Sequence, residues 1–592
     1  MKRYQYIFST EQKFKEQLTD LKNRFTHSGS KGKLLFHIFT EFLDEKNILS
    51  VREQILNFFP DAKVVGATTN GNIFYGQLAD PGTIVSCTQF EKEDTKCEVV
   101  QYHMDSSNID QVCDDLIDKV NNLGWVKAIE LVVTIRNMSM SRLCDRLNEL
   151  NPEINIFGGG AFSEDINTHA AFVVGTESHC CDQGIAFVLY GGSSFTAKAI
   201  HITGWKPLGR KLVVSKARGS RLYELDNAPA FSTYYKYLKI ANDPNFFKNT
   251  LEFPFVYEQN GELILRAPVS CNPDGSLEMT SDIKEGTRVR IAYGDPWTIL
   301  DSVYKGGQII EKYSAEVINI YSCAARKFFW GLNACSQETM PFENLASTTG
   351  FYTSGEFIRE CGFVFQHNVT LVVVAMSENI NNKNKNKFRI GGEYSEGQIS
   401  LVNRLANFIG AATEELADAN RQLEIQSITD GLTQLYNRNE IQKRIDAAFK
   451  DSLTSPKMPI PFLIMLDIDN FKNVNDTFGH AAGDKVLKEL SKLMKEKVSE
   501  FFPEASVGRW GGEEFMILIP NAIEEEAYKL AELIRKEFSK IQFEMIGNKT
   551  VSVGIAKARS EDTPDSFASR VDENMYISKT TGKNKTTPDR ED

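Results

Sequence analysis

The chain is short of everything that would carry it into a membrane or onto nucleic acid. No run among its 592 residues approaches the roughly 18 apolar positions that a membrane-crossing helix requires. The longest apolar runs, residues 371–376 and 462–466, suit buried strands instead. Positive charge is in deficit: 67 Lys and Arg against 79 Asp and Glu leave a net charge of -12, which argues against nucleic acid as a general partner. Residues 1–8 are followed at once by polar positions, so no signal peptide is expected and a cytoplasmic location is. The ten cysteines lack zinc-ribbon spacing. Only His179-Cys180-Cys181 tempts a metal or redox reading, and buried free thiols are the simpler one. Gly158-Gly159-Gly160 makes no dinucleotide loop, because the strand–GxGxxG–helix context is missing. The remainder is ordinary for globular domains, 42% hydrophobic and 25% charged with a mean hydropathy of -0.30. The length allows about four domain equivalents.

What is present is most concentrated in Arg509-Trp510-Gly511-Gly512-Glu513-Glu514-Phe515. Two adjacent carboxylates follow a Gly-Gly pair, between strand-like runs at 505–510 and 515–519, which reads as a two-residue hairpin turn. Acidic side chains at such a tip are poorly placed for a core and well placed for a hard divalent cation. A second acidic site lies upstream. The apolar run from Pro461 ends in Asp467-Ile468-Asp469-Asn470-Phe471-Lys472, followed by Asn475-Asp476, by Gly479-His480-Ala481-Ala482-Gly483-Asp484 and by a helical pattern over 485–494. A carboxylate at the end of a buried strand, then a turn with free N–H groups and a lysine, suits a metal-bound polyphosphate.

Residues 429–592 resemble a GGDEF domain of the diguanylate cyclase family. The resemblance rests on Thr429 to Arg438, on Asp467 to Asp484, on Gly511 to Phe515 in its Glu variant, on Thr550 to Ala556, and on Asp572 through Lys579 to Asn584. It implies condensation of two GTP into cyclic di-GMP and pyrophosphate with Mg2+. Asp467, Glu513 and the carbonyl of Ile468 match the metal ligands. Glu513 also matches the proton acceptor, although a metal-bound carboxylate is a weak base. Glu514 is an outer-sphere carboxylate or the base itself. Lys472 matches the position that stabilises charge on the transferring phosphate. N–H groups at Asn470, Phe471 and Lys472, with Lys579 and Lys583, match the phosphate cradle. The family usually has Arg at the last position, so a point charge replaces a bidentate fork. Asn475 and Asp484 match guanine readers, and His480 matches a substrate contact or is a structural histidine beside a turn. The implied fold is α/β, a ferredoxin-like or polymerase-palm sheet flanked by helices.

Many relatives carry an inhibitory Arg-x-x-Asp motif ending five residues before the Gly-Gly turn. Phe502 and Ala505 stand there, so no arginine is available to hold product.

Strand and helix patterns with glycine turns alternate over residues 32–378. Strands are expected at 33–40 and 62–66, with a helix over 50–59 between them. With Tyr321 to Arg326, Gly350 to Glu356 and His367-Asn368, the N-terminal region is similar to the two-part α/β FIST sensory domain, with parts at 1–228 and 229–380. The resemblance implies a small-molecule ligand, an amino acid among the classes, for which Arg326 could hold a carboxylate and Tyr352, Thr353 and Glu356 could supply polar contacts. Each of these four could equally be an internally bonded turn or core residue. A polar loop at 381–387 leads into a linker that extends to residue 428. Residues 396–428 read as one helix, with Val402, Ile409, Leu416 and Leu423 every seven positions and Leu405, Ala412 and Ala419 between them, a coiled-coil seam suited to a homodimer. The whole reads as a ligand-regulated diguanylate cyclase. The alternatives are a non-catalytic GTP-binding module and a dinucleotide cyclase of mixed product.

Overall fold

A computed structural model describes residues 1–28, 33–135, 140–162, 171–175, 179–379, 386–391, 400–453 and 460–589. Two compact units divide the chain, Met1–Thr413 and Glu414–Asp592.

Among the described residues the first unit contains four sheets. The strand expected at 33–40 is Lys33–Thr40. It pairs in parallel with Lys63–Thr68 through the helix Glu45–Phe58, whose first turn is capped by the Asp44 carboxylate accepting from Lys46 N at 3.0 Å. The helix therefore starts earlier than the apolar spacing suggested, because the cap and not the periodicity sets its beginning. Gly158 to Gly160 lie inside the strand Asn155–Ala161, paired on both sides. Strands from either side of residue 228 share sheets. One six-stranded sheet joins Phe363–His367 and Glu356–Glu360 to Asn155–Ala161, Val126–Thr134, Gly184–Gly191 and Lys96–His103. Another joins Thr196–Ile202 and Asn72–Phe74 to Leu371–Ser377, Val317–Cys323 and Ser347–Thr353.

The helix expected over 396–428 is seen as Leu401–Ile428, residues 396–399 lying outside the described ones. Most of the polar loop expected at 381–387 also lies outside them. The helix buries none of its residues, and Leu405, Leu416 and Leu423 stay more than half exposed.

The second unit is built on a five-stranded sheet in the order Ser506–Arg509, Glu514–Ile519, Phe462–Ile468, Val551–Lys557, Thr586–Thr587, antiparallel except for the last pair. Side chains of a strand alternate between faces. In the central strand Phe462, Ile464, Leu466 and Ile468 enter one core with the helices His480–Phe501 and Glu524–Lys540. Leu463 and Met465 enter the other with Arg438–Leu453 and Pro564–Thr580. Apolar residues on both faces explain why this strand reads as an unbroken run. Gly554 lets Pro564–Thr580 lie directly on the sheet, since a Cβ there would fall 2.3 Å from Met575 N. Asn574 Nδ2 and Ser578 Oγ then donate to the carbonyls of Ile555 and Val553 at 2.9 and 2.8 Å, fixing the helix end that carries Lys579.

Candidate functional site

Asp467 sits one residue before the end of the central strand, opposite Glu514 on one side and Ser552 on the other. The pairing follows from the two apolar strands running antiparallel, so both carboxylates reach the same sheet edge. Lys579 Nζ donates to Asp467 Oδ2, while Oδ1 is buried without a hydrogen-bond partner. Burial pushes the Asp467 acid up to about 6, against the pull of Lys579 and with help from Glu513 and Glu514. Burial also raises Glu514, with Asp572 adding to the rise. Three carboxylates and one orphaned oxygen therefore gather at a strand end. An unpaired buried acceptor in such a cluster calls for an added cation, and the all-oxygen donor set fits a hard one.

The turn that carries Glu513 departs from the two-residue form expected. Arg509 pairs with Phe515, and the loop is closed by Trp510 N and Gly511 N donating to Glu514 O at 2.8 and 3.2 Å. Neither glycine takes a positive φ. A Cβ at Gly511 would lie 2.5 Å from Glu514 Oε2, so a side chain there would push that carboxylate end aside. The loop is wider because a side chain holds it. Arg509 donates to the carbonyls of Gly511 and Gly512 at 2.7 to 3.2 Å and to both oxygens of Asp430 at 3.2 Å. Burial works against the Asp430 charge, but Thr433 and Arg509 hold its acid below the usual range. Ile468 N donates to Glu513 O at 3.4 Å, which binds the turn to the strand.

The loop after the strand, where the resemblance implies a phosphate cradle, is organised by Asp469, which sequence reasoning passed over. It is buried and accepts from Thr550 Oγ1, Ser552 Oγ and Asn584 N at 2.6, 2.7 and 3.0 Å. That pins the segment bearing Lys583 beside Asn470, and Lys583 Nζ donates to Asn470 Oδ1 at 2.6 Å. The signal was present as the second acid of Asp467-Ile468-Asp469, one residue from a left-handed Asn470 (φ 57°) that starts the helix Phe471–Phe478. The Phe471 side chain is buried in the core, so only its backbone N–H remains for a ligand, whereas Lys472 is exposed. Asn475 is half-buried on that helix. His480 and Asp484 are exposed one turn apart at the start of His480–Phe501 and share a face. The structure thus joins Asp467, Ile468, Asn470, Glu513, Glu514, Lys579 and Lys583 by direct bonds or pairing. It leaves Lys472, Asn475, His480 and Asp484 on the two helices that follow the strand.

In the first unit the residues offered for a ligand carboxylate resolve differently. Arg326 is fully buried, and its guanidinium is occupied by Glu338 (2.9 and 2.5 Å) and by the carbonyls of Thr203 and Val369 (2.8 and 3.0 Å). It already holds a carboxylate, that of Glu338, and has no fork left for a ligand. Thr353 Oγ1 donates to Glu356 at 2.5 Å, and Thr370 donates to its other oxygen from Oγ1 at 2.7 Å. Tyr352 is buried with its hydroxyl unpaired. Cys180 and Cys181 are buried and not disulfide-bonded, Cys181 Sγ accepts from Gln101 Nε2 at 3.0 Å, and burial pushes Cys180 up to about 12.

Burial pushes the Glu356 carboxyl up to about 7, only partly opposed by Thr353 and Thr370. The folded chain keeps a proton here that the unfolded chain has released, so from pH 4.5 to about 7 this residue's contribution to stability falls as pH rises. Glu356→Gln should flatten that slope, gaining up to about 3 kcal/mol on wild type above the upper pH on the scale of 1.36 per unit. Thermal unfolding of both proteins across about pH 5 to 8 measures it, and parallel curves would dismiss the assignment.

Three family models match the chain in order: the FIST N domain over residues 34–228, the FIST C domain over 230–359, and the diguanylate cyclase GGDEF domain over 427–585. The response regulator PleD of Caulobacter vibrioides is 36% identical over 165 residues, 27% of this chain and 35% of its own. A diguanylate cyclase of Vibrio cholerae is 34% identical over 190 residues, 31% of this chain and 57% of its own. The crystal structure of the coiled coil and GGDEF domain of DgcB from Caulobacter crescentus, in complex with c-di-GMP, is 31% identical and is covered completely, across 32% of this chain, with a TM-score of 0.30. The chain spans 35% and 57% of the lengths of the two curated relatives. Among the described residues no helix is long and apolar enough to cross a membrane.

Proposed function

From a chain whose parts belong to the FIST N, FIST C and GGDEF families in that order, we propose a diguanylate cyclase regulated by its own sensory unit. It would join two GTP into cyclic di-GMP with release of two pyrophosphates. The observation that carries this reading is the gathering of Asp467, Glu513 and Glu514 with Lys579 at one strand end, where Asp467 keeps a buried oxygen without a partner. Asp467, Glu513 and the Ile468 carbonyl would hold Mg2+, which when bound polarises the α-phosphate and neutralises the leaving pyrophosphate.

The chain's own residues do the rest. The N–H groups of Asn470 to Lys472 receive phosphate oxygens, and Lys472 faces the charge that develops during transfer. Lys579 and Lys583 lie beside the same loop and exchange their carboxylate and amide contacts for phosphate. Asn475 and Asp484 read guanine, a carboxylate accepting from N1–H and the 2-amino group that adenine cannot match. Glu514, across the ladder from Asp467, takes the proton of the attacking 3′-hydroxyl. Each such unit holds one GTP, so two must face each other, and the exposed seam of Leu401–Ile428 is the element we assign to that pairing. The sensory unit binds a small molecule and biases the pairing, and both units work in the cytoplasm where GTP is.

Turnover of GTP with mass analysis of the product tests the reading. Cyclic di-GMP alone is expected. GTP binding without turnover would leave a binding module, and a mixed product from GTP and ATP would make it a dinucleotide cyclase of another kind.

Feedback should also be altered. Phe502 and Ala505 are half-buried against the core and offer no cation to a product phosphate. Added cyclic di-GMP at low micromolar concentration should leave progress curves unchanged, with competition appearing only at higher levels. Strong non-competitive inhibition would reveal a product site built from other residues.

A further inference from the structure

His201 in Thr196–Ile202, with Glu360 and His367 at opposite ends of the hairpin formed by Glu356–Glu360 and Phe363–His367, meet where two sheets of the first unit pack. One ligand atom from each lies within 4.8 Å of the others. The His201 and His367 rings stack at 4.7 Å between centroids and 16° between planes. His201 Nδ1 touches Glu360 Oε2, yet neither atom has a partner with hydrogen-bond geometry. His367 is fully buried, and neither of its ring nitrogens has a hydrogen-bond partner. A fully buried imidazole with both nitrogens unpartnered, stacked on a second imidazole beside a carboxylate, is unusual in a folded interior, where such groups find a protein, water or ion partner.

We propose that these three residues form a binding site for a divalent first-row transition cation, zinc foremost. Two imidazoles and one carboxylate are a standard donor set for zinc with a fourth position left to water or another ligand. A tetrahedral zinc with bonds of about 2.0–2.1 Å holds its ligand atoms roughly 3.4 Å apart, so small rotations of the side chains close the site. His367 offers neutral nitrogens, because burial and the nearby His201 and Arg266 hold its acid well below the ordinary value. Arg266 is the adjacent cation, and its Nε and Nη1 donate to the Leu265, Asp282 and Gln366 carbonyls and to Asn368 Oδ1. Burial lowers the His201 acid, but Glu360 and Glu262 outweigh it and hold it above the ordinary value, so a cation entering here displaces a proton. His201 and Glu360 are 17% and 22% exposed, which leaves a path for the ion from solvent. The site ties a strand from before residue 228 to a hairpin from after it.

The full-length protein should be titrated with Co2+ in an excess of Mg2+, so that oxygen-only sites are filled. One equivalent of Co2+ should bind with the visible absorption of a nitrogen-ligated, low-coordinate ion, and Zn2+ should displace it. His201→Gln and Glu360→Gln alter partly exposed side chains, and thermal unfolding of each checks that the fold is kept. Each should weaken Co2+ binding by at least about tenfold, the lower end of what losing even a supporting contact costs a metal site. Absence of the absorption in wild type, or full affinity in either variant, overturns the proposal. The readout is metal binding and does not depend on cyclase activity.

Discussion

Replacing Glu513 by glutamine should lower the rate of cyclic di-GMP formation by about a hundredfold or more, several kcal/mol of transition-state stabilisation. Glu513 is half-buried at the tip of a loop whose shape is fixed by other groups: Arg509 holds its carbonyls, and Trp510 N and Gly511 N close it on Glu514 O. The amide therefore changes chemistry and leaves geometry in place. A neutral amide is a poorer ligand for magnesium. The variant should melt within a degree or two of wild type, since surface changes of this size stay within about 0.5 kcal/mol. Near-normal turnover by a well-folded Glu513→Gln protein would remove Glu513 from the site.

A second large effect is expected from serine at both Leu416 and Leu423. These side chains are 62% and 60% exposed in the single chain, so their loss costs the monomer little. If the helix pairs with its copy they become seam residues, and each substitution costs about 2–5 kcal/mol on the core scale, less where the seam is partly solvated. The double variant should bind GTP normally while its specific activity rises with enzyme concentration, because mass action then sets the dimer population. A sensory ligand could act on this equilibrium only by favouring one arrangement over another. Activity per mole that stays flat in wild type and variant across roughly a hundredfold dilution would move the pairing to another element.

Much of the second unit could be read in advance because its signals are local. The run ending at Asp467 declares a strand buried on both faces, and Glu513-Glu514 after two glycines declares an acidic loop. The turn length was misjudged because neither glycine takes the positive φ of a two-residue turn, and Arg509 holds the wider loop through the Gly511 and Gly512 carbonyls instead. Arg509 to Asp430 and Lys579 to Asp467 span 79 and 112 positions, and no local pattern announces a contact of that kind. Asp469 was overlooked for the same reason, since its three donors lie 81, 83 and 115 residues away. In the first unit Arg326 looked available because a sequence shows a charge without its partner. Glu338 is only twelve residues on, but a loop and a short helix separate them, with no periodicity to pair the two.

The sharing of strands across residue 228 bears on how such a protein can be inherited. A domain boundary that families recognise need not be a place where a chain can be cut. Ending the polypeptide there would strip Glu356–Glu360 from Asn155–Ala161 and leave Thr196–Ile202 without Leu371–Ser377. Each break would bare a row of unpaired N–H and C=O groups, the surface that recruits other chains into aggregates. The FIST N and FIST C parts can thus be gained, lost or transplanted between proteins only together. The unit of exchange in evolution, or in engineering a new sensor, is the whole four-sheet body.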